Sequence, residues 1–89
     1  MIADQTSTKL RRIRTAGLSR LREIAQEKGY PWERDRKVLK DIANGSMEQA
    51  AEKSRLSYSS VQHILSRYDR LAQGIIEERR RKAMNYEEV

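Results

Sequence analysis

The sequence contains no cysteine and no phenylalanine, and it has only one proline and four glycines. Without cysteine, neither a disulfide framework nor a zinc site with cysteine ligands can form. The scarcity of proline and glycine leaves long stretches free to be helical, and β-branched residues are sparse. The chain is therefore predicted to be all-α.

Apolar residues are also scarce. Hydrophobic residues make up 37% of the 89 residues, with one Trp and four Tyr, which allows a single domain with a thin core. No apolar run approaches the roughly 20 residues of a membrane-spanning helix. The opening stretch, 1–9, lacks the apolar segment of a signal peptide. We expect a cytosolic protein with no membrane partner.

Groups that could carry out catalysis are missing as well. The chain has one histidine, His63, and its carboxylates form no convergent pair in the sequence. A lone histidine binds metals poorly, and no glycine-rich loop suggests a nucleotide site. We therefore expect neither an enzyme nor a metal or cofactor site.

Positive charge is abundant. Lys and Arg number 19 against 13 Asp and Glu, which gives a formal net charge of +6 and an isoelectric point near 10.0. Such an excess attracts polyanions, of which nucleic acid is the most common. A merely soluble surface could have the same balance, so the positions of the charges must decide.

After a lead-in predicted to be flexible, residues 1–6, the spacing of apolar residues predicts a first helix. It would begin at Ser7 or Thr8 and end at Gly29, before the Tyr30-Pro31 pair. Its apolar face would contain Leu10, Ile13, Leu18, Leu21, Ile24 and Ala25. Its other face would be basic throughout, with no acidic residue between Lys9 and Arg22: Lys9, Arg11, Arg12, Arg14, Arg20 and Arg22. Because a solvated face normally mixes both signs, this block favours contact with a polyanion over simple solubility.

A second helix is predicted from Trp32 or Glu33 to Asn44. Its buried positions would be Val38, Leu39, Ile42 and Ala43, and Trp32 would anchor the preceding loop to the core. Glu33 and Asp35 stand at its start, where the helix dipole favours negative charge. Asn44-Gly45 would end it.

The segment 46–68 then predicts two short helices joined by about three residues, 54–56. Ser46 and Gln49 form a capping-box pattern at the start of the first helix, and Ser57 is a strong N-cap for the second. The inward positions would be Met47, Ala50, Ala51, Ser54, Leu56, Val61, Ile64 and Leu65. Ala51 would be the small residue at the closest approach of the two helices. Two short helices with such a turn are typical of a helix-turn-helix.

In that interpretation, the outward face of the second helix can enter a DNA major groove. The base-reading candidates are Tyr58, Ser59, Ser60, Gln62, His63 and Ser66. Phosphate contacts would come from flanking cations, hydroxyls and helix N-termini. Those candidates are Ser46, Gln49, Lys53, Arg55, Ser57, Arg67, Arg11, Arg12 and Arg14.

The amino-acid sequence of this stretch resembles that of the helix-turn-helix superfamily. Ala51, Ser57, Ser59-Ser60, Val61 and Leu65 stand where that superfamily has a small residue, the turn, and Ser-x-Ser/Thr-Val-x-x-x-Leu. With the preceding ERDRKVLKDIANG, about 33–71 looks most similar to sigma-factor region 4 and LuxR-type DNA-binding domains. The resemblance implies duplex DNA binding through the second helix. Arg55 stands where glycine is usual, which predicts either a non-glycine residue with positive φ or a slightly different turn. Ser54 stands where leucine or isoleucine is usual, which predicts a polar group near the core.

Beyond the motif, 69–84 is predicted to be a further helix. Leu71, Ala72, Ile75 and Ile76 form an apolar patch, interrupted by Gly74, that either caps the core or faces a second protomer. The charge inversion over 77–82 predicts ion pairs from Glu77 to Arg81 and from Glu78 to Lys82, or an extended phosphate footprint. The sequence thus predicts one helical domain, 7–84, of four to five helices, followed by an acidic tail, 85–89, expected to be disordered.

These observations favour a small transcription regulator, of bacterial, phage or mobile-element style, that binds double-stranded DNA as a homodimer. Two alternatives stay open. The same fold could serve DNA packaging or replication, or the chain could be a protein-interaction module acting on the transcription machinery. RNA binding is disfavoured because aromatic residues for base stacking are few.

Overall fold

The computed structural model describes residues 5–88, with side chains through Met84, and folds them into five α-helices without a strand. The helices are α1 Gln5–Ala16, α2 Leu18–Lys28, α3 Trp32–Asn44, α4 Met47–Ser54 and α5 Tyr58–Glu88. The predicted all-α class is confirmed. The first helix begins at Gln5, inside the predicted flexible lead-in, while 1–4 lie outside the described residues.

Gly17 divides the predicted first helix into two. Its backbone has a φ of 96° and a ψ of 133°, a conformation that residues other than glycine rarely adopt. Helix α1 therefore ends at Ala16 and α2 begins at Leu18. The prediction of one helix to Gly29 is therefore wrong. The break changes the phase of the apolar pattern: Ala16 is fully buried, whereas Leu18, predicted to be inward, is 50% exposed.

The predicted end of α2 and the predicted start of α3 are confirmed. Gly29 has a φ of 77°, and the amides of Gly29 and Tyr30 donate to the carbonyls of Gln26 and Ala25, as in a Schellman motif. Trp32 is buried at the start of α3. Of the predicted inward stripe, Val38, Leu39 and Ile42 are buried, but Ala43 is exposed, so its prediction was wrong.

Helix α4 begins as the sequence predicts. The Ser46 hydroxyl accepts a hydrogen bond from the Gln49 amide at 3.2 Å. Met47 and Ala50 are buried, and Ala51 is half-buried and packs against the same core. The connection to α5 is 55–57, one residue later than predicted.

Helix α5 is continuous over 31 residues, about 46 Å at the usual helical rise. The predicted end near Tyr68 and the predicted separate helix from Asp69 are therefore wrong. Gly74 lies inside the helix and does not interrupt it. The helix also continues through 85–88, part of the predicted acidic tail, and Val89 lies outside the described residues.

Helices α1 and α5 form the main scaffold of the bundle. Lys9 contacts Ser66 and Arg12 contacts Asp69, so residue numbers increase together and the helices run in the same direction. The Arg79 guanidinium donates to the carbonyls of Thr15 and Ala16 at 3.0 and 2.7 Å, which caps the C-terminus of α1 with positive charge. Arg79 thus fixes the point at which α1 turns into α2.

Candidate nucleic-acid interface

The N-terminal half of α5 is held by caps at both sides of its connection to α4. The amides of Arg55 and Leu56 donate to the carbonyls of Glu52 and Ala51, and Arg55 has a φ of 58°. Of the two possibilities predicted for Arg55, the positive φ is the one found. The Ser57 hydroxyl accepts from the Ser60 amide at 3.1 Å, which confirms Ser57 as the N-cap of α5.

The core side of this half-helix follows the predicted pattern. Val61, Ile64 and Leu65 are all buried, and Leu56 is half-buried against the same core. The Ser54 hydroxyl, predicted to lie near the core, donates to the Ala50 carbonyl at 2.6 Å. The polar group is satisfied within its own helix, so the departure from leucine or isoleucine leaves no unpaired donor.

The predicted base-reading residues fall into an exposed group and a half-buried group. Ser59, Gln62 and His63 are exposed, and Tyr58 is 47% exposed. Ser60 is half-buried and accepts a hydrogen bond from the Ser57 hydroxyl at 2.9 Å. Residues 58 and 59 precede residues 62 and 63 by about one helical turn, so the four exposed side chains lie on one side of the helix.

Helix α1 flanks that exposed side, which the sequence did not predict. Lys9 Nζ donates a hydrogen bond to Ser66 Oγ at 3.1 Å, and Ser66 is half-buried. Between the helices lies an open cleft of about 350 Å³, called the α1–α5 cleft here. It is lined by Gln5, Thr6, Lys9, Met47, Tyr58, Gln62, His63, Leu65 and Ser66. Any ligand that contacts Gln62 therefore also lies close to polar and basic side chains of α1.

The predicted phosphate contacts on α4 lie at its surface. Gln49 and Lys53 are exposed and line a shallow cleft with Glu52. The exposed residues Ser46 and Ser57 use their hydroxyl oxygens as helix caps. Both hydroxyls belong to helix N-termini, where amide groups and the helix dipole attract anions.

Two of the predicted phosphate contacts are arginines with partners inside the protein. Arg12 Nη1 lies 3.1 Å from Oδ2 of Asp69, which is buried and also accepts from Gln73 at 2.8 Å. The Arg67 guanidinium lies over the Tyr30 ring, 4.3 Å from its centroid. These contacts restrain both guanidinium groups, and Asp69 neutralises Arg12.

Arg11 and Arg14 are exposed, but the structure does not bring them to the exposed side of α5. Neither side chain lines the α1–α5 cleft beside the exposed side of α5. Arg14 instead lines a groove of about 210 Å³ between α1 and α3, with Leu10 among its neighbours. The basic block of the sequence is thus distributed over more than one face of α1.

A buried acidic group behind Arg67 was not predicted. Asp35 is fully buried, and Tyr68 Oη donates to its Oδ2 at 2.6 Å. Arg34 Nη2 contacts Oδ1 at 2.9 Å, and Arg67 Nη1 lies 3.8 Å from Oδ2. Burial first, and then the bond to Asp35, raise the pKa of Tyr68 above its ordinary value. The cluster connects α3 to α5 and sets the position of Arg67.

A second open cleft, called the α2–α5 cleft here, adjoins the exposed side of α5. It has a volume of about 310 Å³ and is lined by Lys28, Tyr30, His63, Arg67, Arg70 and Leu71. Sequence reasoning missed Lys28, Tyr30 and Arg70, as it missed Gln5 and Thr6, and it did not place Lys9 of the basic block beside Gln62. Arg70 could have been found, because it follows His63 by two helical turns; Lys28 and Tyr30 carry no local signal.

Comparison with protein-family models, with curated proteins and with solved structures finds no match to this chain. Among the side chains of residues 5–84, no group of three or more His, Cys, Asp or Glu is placed to hold a metal ion. No helix in this part of the chain is long and apolar enough to cross a membrane.

Proposed function

We propose that this chain binds duplex DNA with the N-terminal half of α5 in the major groove, as the second helix of a helix-turn-helix formed with α4. The observation that supports this most is the exposed polar strip of Ser59, Gln62 and His63 on the first turns of α5. A capped, three-residue connection joins that strip to the C-terminus of α4. Glutamine and histidine side chains can donate to and accept from base edges.

Electrostatics support the same proposal. The net charge of +6 attracts the DNA backbone, Lys9 contacts α5 at Ser66, and Lys53 is exposed at the surface of α4. Lys9, Gln5 and Thr6 extend the polar surface along one flank of α5, where a phosphate strand would pass when the helix lies in the groove. Phosphate contacts of this kind set the register in which Gln62 and His63 read bases.

The test is to replace Gln62 and His63 with Ala and to measure binding to selected and to random duplexes. Affinity for the selected duplex should fall by about tenfold to a hundredfold for each base that is no longer recognised, while affinity for random duplex changes little. Gln26→Ala, at an exposed glutamine of α2, is the matched control. An equal loss of affinity for both duplexes would show that Gln62 and His63 do not read bases.

The biological role we favour is transcription regulation by a homodimer. A single small module buries little DNA surface, so pairing of two copies raises affinity. In α5, the side chains of 77–84 are all exposed and Met84 is 58% exposed, which leaves this part of the helix open to a second copy. Sedimentation separates the roles: a dimer favours regulation, and a ring of many subunits favours DNA packaging.

A further inference from the structure

The α2–α5 cleft contains an excess of positive charge that the fold does not neutralise. Lys28 and Arg70 are exposed and, within residues 5–84, neither forms an ion pair or a side-chain hydrogen bond. Arg67 also lines the cleft, and no carboxylate does. Like charges gathered in one concave surface repel each other, and a bound anion relieves that repulsion.

The Arg67 guanidinium is positioned before any ligand arrives. The Tyr30 ring lies against its face at 4.3 Å from the centroid, and the Asp35 carboxylate lies 3.8 Å from Nη1. A planar guanidinium restrained in this way offers its remaining N–H groups in a fixed direction, which suits a tetrahedral oxyanion. Asp35 takes part of the charge of Arg67, so Lys28 and Arg70 supply the uncompensated attraction.

The cleft is continuous with the exposed polar strip of α5. His63 lines both the α1–α5 cleft and the α2–α5 cleft. A phosphate held by Lys28, Arg67 and Arg70 would therefore lie directly beside a residue of the strip, on the side of α5 away from Lys9. We infer that these three residues form a clamp for a backbone phosphate of the bound duplex. This assignment rests on the proposed function.

The experiment measures duplex binding by fluorescence anisotropy over a series of salt concentrations. The variant Lys28→Ala/Arg70→Ala should lower the slope of log affinity against log salt by about 0.9 for each phosphate that is no longer neutralised. Lys37→Ala/Lys40→Ala removes the same charge from exposed positions of α3 and should leave the slope unchanged. Both pairs are exposed, so urea unfolding should match that of the parent protein.

Three further outcomes distinguish the clamp from the proposed function. If duplex binds and both double variants keep the parental slope, the clamp is overturned and the proposed function stands. If both variants lower the slope equally, the effect belongs to net charge and the clamp is again overturned. If no duplex binds, the proposed function fails, and inorganic phosphate decides the clamp by NMR titration. Shifts at Arg67 that vanish in Lys28→Ala/Arg70→Ala support a site for free phosphate, and absence of shifts overturns it.

Discussion

Arg55 and Gly29 occupy the same backbone position at the ends of α4 and α2, but at different energetic cost. Their φ angles are 58° and 77°, and both end a helix with the same pair of amide-to-carbonyl bonds. A left-handed conformation costs a residue with a Cβ about 1–2 kcal/mol, whereas glycine adopts it freely. The turn before α5 therefore stores strain that the turn before α3 does not.

We predict that Arg55→Gly raises the free energy of unfolding by about 0.5–1 kcal/mol, because relief of strain exceeds the added entropy of the unfolded chain. Gly29→Ala is the opposite control and should lower that free energy by about 1 kcal/mol. Urea unfolding followed by circular dichroism measures both. A less stable Arg55→Gly would mean that the arginine side chain makes stabilising interactions that outweigh its backbone strain.

At the level of helices, Gly17 and Gly74 differ, although the sequence predicts that both lie inside helices. Gly17 was expected inside a helix and separates two, while Gly74 was expected to interrupt only an apolar patch within a helix and does lie inside a helix. A Cβ built at either position meets no atom within 4 Å, so steric contact does not distinguish them. The backbone does: only Gly17, with a φ of 96°, needs a conformation that favours glycine.

We therefore predict opposite effects of the same substitution. Gly17→Ala should lower the free energy of unfolding by about 1–3 kcal/mol, since alanine cannot hold that φ without strain. Gly74→Ala should raise it by about 0.5–1 kcal/mol, since alanine favours the helix at an exposed position. Thermal unfolding of both variants checks this. Loss of stability in Gly74→Ala would contradict a continuous α5.

Features that depend on neighbours in the chain could be predicted from the sequence. The caps at Ser46 and Ser57, the end of α2 at Gly29 and the buried stripe of Val61 and Ile64 all depend on residues within one or two turns. The break at Gly17 could not, because the periodicity of 10–25 fits one helix as well as two. Packing of α1 along α5 selects between them.

The candidate interface likewise has features that could be predicted from the sequence and features that could not. Helical periodicity alone places Ser59, Gln62 and His63 on one exposed side of α5. The two clefts beside that side depend on contacts between residues far apart in the sequence, such as Lys9 with Ser66 and Tyr30 with Arg67. The sequence therefore predicts which α5 residues are exposed, but it does not predict which parts of other helices lie next to them.

For the whole molecule, the net charge of +6 overstates the charge available to a ligand at any one face. Arg12 is paired with the buried Asp69, and Arg79 caps the C-terminus of α1. Arg67 is held between an aromatic ring and a buried carboxylate. These arginines serve the fold, so electrostatic attraction depends on exposed cations such as Arg11, Arg14, Lys28 and Arg70.

The difference between paired and exposed arginines predicts different effects on stability for substitutions within the basic block of α1. Arg12→Ala should lower the free energy of unfolding by about 1 kcal/mol, because Asp69 is left without its cationic partner, with the effect moderated by the partial exposure of Arg12. Urea unfolding measures the change. Arg11→Ala/Arg14→Ala should leave stability unchanged, since both side chains are exposed and, in the described part of the chain, unpaired.

The salt dependence of duplex binding completes that comparison. If α1 contacts the DNA backbone, Arg11→Ala/Arg14→Ala lowers the slope by about 0.9 for each phosphate that these arginines neutralise. Arg11 and Arg14 line neither of the two clefts beside the exposed side of α5, so we expect a smaller change than for Lys28→Ala/Arg70→Ala. An equal or larger change would place the DNA across the outer face of α1. The α2–α5 cleft would then no longer be the preferred phosphate-binding surface.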